Sequence, residues 1–100
     1  MALATILLAP VEEMINFYVG DAAATAKRLV ASESYVAQCA INVPMSGEAA
    51  AEEMFDLTNN PSRQDEREAK YGRGRSVSVG DIIDVDGTKY LCASCGWTVV

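Results

Sequence analysis

The dipeptide Asp86-Gly87, set between "IIDV" (82–85) and "TKYLC" (88–92), constrains this chain more than any other feature. Two-residue connections between strands favour turns with positive φ at both central positions, where Asp and Gly are least strained. A turn here fixes the register on either side. Val85 falls opposite Thr88, Asp84 opposite Lys89, Ile83 opposite Tyr90, and Ile82 opposite Leu91. Each pair is chemically matched, and one joins opposite charges.

The same register governs the cysteines of "YLCASCGW" (90–97). Ile83, Val85, Tyr90 and Cys92 share one face of the hairpin, because side chains alternate along a strand. Cys92 and Cys95 then point to opposite faces, unless the strand breaks near Ser94 and Gly96. A structural zinc site needs about four ligands, but Cys39 is the third and last cysteine and histidine is absent. Redox CxxC pairs sit at helix N-termini, where the thiol pKa is lowered. Both cysteines therefore read as buried or half-buried packing residues, with no metal and no cofactor expected. The odd number of cysteines argues against a disulfide scaffold and for a reducing, cytoplasmic compartment.

The remaining segments alternate in type. "LATILL" (3–8) reads as a buried strand, and Pro10 as the first turn of a helix that stops at Gly20. Val11, Met14, Ile15, Tyr18 and Val19 fall on one face of that helix. A strand through "INFYV" is the alternative, because β-branched and aromatic residues cluster there. Asp21 caps a helix over 22–31. "SYVAQCAINV" (34–43) alternates as a strand, with Tyr35, Ala37, Cys39, Ile41 and Val43 on one face. Ser46 caps a helix of about 47–58 whose inner face is Ala50, Met54 and Leu57, flanked by Ala51 and Phe55. Asn60-Pro61 opens a short polar helix ending at Gly72, and from Arg75 the pattern is β. One hundred residues, 50% of them apolar, make a single domain. The expected class is α+β: a small antiparallel sheet with a C-terminal hairpin, packed against two to four helices. "MALATILLAPV" has no basic flank and is too short to span a membrane, so it reads as strand and not as a targeting segment.

Charge supplies two candidate surfaces. Arg63, Arg67, Lys70, Arg73 and Arg75 hold five of the eight basic residues, the last two on a glycine-flanked loop. This strip reads first as a solvated helix with i,i+4 pairs and arginines bonded to nearby loops. A protein contact is the second reading and a phosphate contact the third. Glu48, Glu52, Glu53 and Asp56 form an acidic helix face, ordinarily a solvated one. As a contact, it could imitate nucleic-acid phosphates before a basic channel. The net charge of −6 opposes general nucleic-acid and membrane binding. Asp81, Asp84 and Asp86 lack the ligand series of a calcium loop. No nucleophile–base pair is legible, so no catalytic residue is assigned and no enzyme is expected.

"LTNNP" (57–61), "RSVSVGDII" (75–83) and the Tyr90, Ser94, Gly96, Trp97 pattern together resemble the YodL-type domain, a family of small bacterial, plasmid and phage proteins. The likeness spans residues 55–97. The chain departs from the family at Cys92 and Cys95, where apolar or aromatic residues are usual, and at Ala93, where an acid is common. The resemblance supplies no catalytic residue. It implies a setting, that of an accessory protein of a phage or mobile element. With no catalytic group legible, the expected action is non-enzymatic binding of a host protein, such as a defence nuclease or another nucleic-acid enzyme. A self-assembling module, and a weak nucleic-acid binder using 63–75, are the alternatives.

Overall fold

The computed structural model describes all residues, Met1–Val100. Five strands form one antiparallel sheet in the order β2-β1-β3-β4-β5. The strands are β1 (Ala2–Leu8), β2 (Val36–Val43), β3 (Ile82–Val85), β4 (Thr88–Ala93) and β5 (Gly96–Val99). The helices are α1 (Asn16–Val19), α2 (Ala22–Ala31), α3 (Gly47–Asn59) and α4 (Gln64–Lys70), with 3-10 turns at Val11–Glu13 and Pro61–Arg63. This is the expected α+β class.

The hairpin register is the one dictated by Asp86-Gly87, from Val85 opposite Thr88 to Ile82 opposite Leu91. Asp86 has φ 50° and Gly87 φ 95°, the two positive values that the turn requires. Helices cover both sides of the sheet. Ala2, Ala4, Ile6, Leu8, Val43, Ile83, Val85 and Cys92 pack with Ala50, Ala51, Met54 and Leu57 of α3. On the other side Ile82 and Leu91 pack with Phe17, Ala26 and Leu29 of α1 and α2. Two-sided cover explains the adjacent Ile82 and Ile83: neighbouring residues point to opposite faces, and both are fully buried. Asp21 caps α2 by accepting from Ala24 N–H at 3.1 Å. Ser46 occupies the N-cap of α3 with no side-chain cap bond.

Four expectations are corrected. The chain turns again at Ser94-Cys95, so that Cys92 pairs with Trp97 across a second hairpin. Cys95 sits at that turn and is exposed, while Cys92 is buried. Residues 75–81 form a loop, not the start of a strand, because their polar groups bond to one another and to Asp81. The register between β1 and β2 slips by one, with Ile6 opposite Cys39 and Leu7 opposite Ala37. The extra residue, Gln38, reverses the alternation. Cys39, Ile41 and Val43 face α3, whereas Tyr35 packs with the α2 side. Finally, the expected 10–20 helix is broken, and its buried residue is Phe17. Val11, Ile15, Tyr18 and Val19 are exposed.

Candidate functional site

The loop from Arg75 to Asp81 is organised around one buried carboxylate. Asp81 is fully buried. Its Oδ1 accepts from Ala9 N–H at 2.8 Å and from Arg75 Nη2 at 2.8 Å. Its Oδ2 accepts from Ser78 N–H at 2.8 Å and from Arg75 Nη1. Arg75 Nη2 also donates to Ala9 O at 2.8 Å. The pair thus clamps the end of β1 to the start of β3. The carboxylate raises the Arg75 pKa further, against the opposing effect of burial. A charge with this many donors is the arrangement in which burial is tolerated.

The "LTNNP" segment meets the same loop from the other side. Val77 N–H donates to Thr58 Oγ1 at 3.0 Å, and Asn59 Nδ2 donates to Val77 O at 2.8 Å. Ser76 Oγ donates to Thr58 O at 2.7 Å. Asn60 Oδ1 accepts from Ser62 N–H at 2.9 Å and starts the 3-10 turn. The two motifs are therefore parts of one hydrogen-bonded junction. Nothing in the spacing of Arg75 and Asp81 marked that junction; the signal was a matched acid and base enclosing a polar loop.

The basic strip is dispersed among internal partners. Arg63 bonds Glu53, Asp56 and Glu66, at 2.7, 2.8 and 2.8 Å. These carboxylates push the Arg63 pKa upward, and Arg63, followed by Lys70, lowers Glu66 to about 2. Arg67 donates to Thr58 O, Gly72 O and Gly74 O at 3.2, 3.3 and 2.6 Å. Its guanidinium lies 5.1 Å from the Tyr71 ring centre. Lys70 pairs with Glu66 at 2.9 Å. Arg73 is exposed and has no ion pair or side-chain hydrogen bond. Of the acidic face, Glu53 and Asp56 share the single charge of Arg63 with Glu66, while Glu52 accepts from the Trp97 indole N–H at 2.8 Å. Glu48 is exposed and unpaired.

A shallow cleft of about 170 Å³ opens between α3 and the second hairpin, lined by Glu52, Phe55, Cys92, Ser94 and Trp97. Phe55 and Trp97 meet edge to face at 6.4 Å. Burial pushes the Cys92 thiol up to about 11, with smaller contributions from Asp81 and Glu52. The thiol is protonated at neutral pH, which removes its nucleophilic form. No three His, Cys, Asp or Glu side chains are grouped to hold a metal ion, and no helix is long and apolar enough to cross a membrane.

Four of the exposed large apolar side chains lie on the 11–19 segment. Val11, Ile15, Tyr18 and Val19 are 69%, 65%, 62% and 75% exposed. The segment beneath them is held in place. Phe17 is buried against Gly80, where an added Cβ would come within 2.5 Å of its ring. Glu13 bonds Arg28 and Asn16 at 2.7 and 2.8 Å. Sequence periodicity grouped these residues, with Met14, on one helical face.

These features define a small α+β protein with an anchored apolar surface and a buried ion-pair junction. No protein-family model matches the chain, and no curated protein or solved structure matches it.

Proposed function

We propose that the chain is a non-enzymatic accessory protein of a phage or mobile element that acts by binding a host protein. One observation carries the contact: the exposed apolar side chains of Val11, Ile15, Tyr18 and Val19, on a segment anchored by buried Phe17 and the Glu13–Arg28 pair. Contiguous exposed apolar patches mark interaction sites, and a surface anchored before binding loses little entropy on association. The patch lies outside residues 55–97, so the YodL-like part would serve as scaffold and the N-terminal part as the recognition element. Arg73 is the one member of the strip Arg63, Arg67, Lys70, Arg73 and Arg75 without an internal partner, and it would add a polar anchor. For a nucleic-acid enzyme as target, Glu48 and Glu52 would steer association from a distance.

The test is capture from host lysate by wild type and by the Ile15→Glu, Val19→Glu double variant. The variant is expected to keep the unfolding temperature of the wild type, because both positions are exposed, and to lose the captured protein. Retention of the same protein in the same yield would refute the assignment of the surface. Binding to bare DNA or RNA at physiological salt would refute the protein-binding reading itself.

A further inference from the structure

The two edges of the sheet differ. β2 carries the bulge at Gln38, and two of its side chains touch the end of α4 and the loop after it: Cys39 Sγ donates to Lys70 O at 3.3 Å, and Gln38 lies against Gly74. Bulges and covering segments are standard protections of a sheet edge. β5 has neither. Its residues Gly96, Trp97, Thr98 and Val99 include no charge and no proline. Val100 N–H donates to Lys89 O at 3.0 Å. With Leu91 opposite Thr98 and Ala93 opposite Gly96, alternation turns the main-chain groups of Gly96, Thr98 and Val100 inward to β4. Those of Trp97 and Val99 therefore point outward. No turn, loop or cap hydrogen bond reaches them.

We infer that β5 is a self-association edge whose occupant is β5 of a second copy, antiparallel across a two-fold axis at Thr98. The match lies in the register. Two outward-pointing residues separated by one inward-pointing residue are self-complementary in an antiparallel ladder. Trp97 then exchanges both main-chain bonds with Val99 of the second copy, and Val99 with its Trp97. Thr98 faces Thr98 as the intervening non-bonded pair. Trp97 and Val99 share the α3 face of the sheet, since they pair with Cys92 and Tyr90. Each copy thereby gains an aromatic–β-branched cross-strand pair, a favourable combination. A two-fold axis at Trp97 would instead use the turn residue Cys95 and lose half of these bonds. The ladder is short, well below the roughly 800 Å² per partner of a standard interface, so the dimer is weak and concentration-dependent. Each copy carries −6 while the strand itself is uncharged, so added salt relieves the repulsion and strengthens pairing.

Sedimentation velocity over a wide concentration range, at low and high salt, tests this with the full chain. Wild type is expected to shift toward twice the monomer mass, more so at high salt. Thr98→Lys places like charges opposite each other at the axis and is expected to weaken pairing about fivefold. Its exposed position leaves the monomer's unfolding temperature unchanged. In a Cys39→Ser, Cys95→Ser background, Thr98→Cys is expected to give a reducible covalent dimer on mild oxidation, because non-bonded antiparallel pairs approach to about 4.5 Å between Cα atoms. A wild type that stays monomeric throughout, a Thr98→Lys variant that associates as wild type does, or a Thr98→Cys variant that fails to cross-link would each overturn the inference.

Discussion

Replacing Asp81 by Asn keeps the size of the side chain and removes its charge. The wild-type carboxylate accepts from two main-chain N–H groups and from both terminal nitrogens of Arg75. An amide has one acceptor oxygen, and its nitrogen would face donors. Removing one partner of a buried ion pair costs about 3–5 kcal/mol. Arg75 is 31% exposed at its side chain, so water recovers part of that cost and the lower end, about 3 kcal/mol, applies. Domains of this size have about 5–15 kcal/mol of stability in total. The loss would lower the melting temperature by roughly 12–24 °C, at about 4–8 °C per kcal/mol. Urea unfolding followed by circular dichroism measures the loss directly. A double-mutant cycle with Arg75→Met isolates the pair: the double variant should be less destabilised than the sum of the singles by about 1 kcal/mol or more. An Asp81→Asn protein within about 0.5 kcal/mol of wild type would refute the claim that this carboxylate ties β1 to β3.

Two further outcomes follow from the side chains. Cys92→Ala should cost about 1–2 kcal/mol by opening space in the core, while Cys95→Ser, at an exposed turn, should stay within about 0.5 kcal/mol of wild type; chemical denaturation of both checks the contrast. Glu66, lowered from 4.5 to about 2 by Arg63 and Lys70, contributes stability that is fully present above pH 4.5 and is lost as pH falls toward 2. Thermal melts across that window should show a shallower acid dependence for Glu66→Gln than for wild type.

Periodicity made much of the fold legible. The Asp86-Gly87 turn, the α2 cap and the inner face of α3 are local signals, each repeated by its own element, and the structure has them where the spacing put them. The bulge at Gln38 was not legible, because strand pairing belongs to two segments at once. A single extra residue changed which side Tyr35 faces without changing the apolar pattern. The second hairpin was half legible: Ser94 and Gly96 signalled a break, but only its pairing with β4 made a strand of "GWTV". At the candidate sites the gap was wider. Asp81 stood in sequence among three similar acids, and its burial depends on Arg75 reaching it across a loop with no periodicity. Val11, Ile15, Tyr18 and Val19 were visible as a face. Phe17 is the residue of this segment that turns inward, against Gly80, and the four others face out.

The fate of the basic strip decides how its role can be probed. Reversing Arg67 removes three main-chain bonds and its stacking on Tyr71. Reversing Arg63 leaves three carboxylates facing one another. Loss of binding in either variant would report a disturbed α3–α4 junction and not a lost contact. Arg73 is free, and Lys70 is held only by an exposed pair of the kind that contributes little. The strip can therefore neutralise about one or two phosphates, which sets a salt slope of only about −0.9 to −1.8 for duplex DNA. Against a net charge of −6, so shallow a gain leaves free nucleic acid a poor ligand. Arg73→Glu is thus the substitution that separates the readings. It should leave the melting temperature unchanged. A drop in partner affinity would make Arg73 an interface anchor, whereas unchanged affinity would confine recognition to the apolar surface at 11–19.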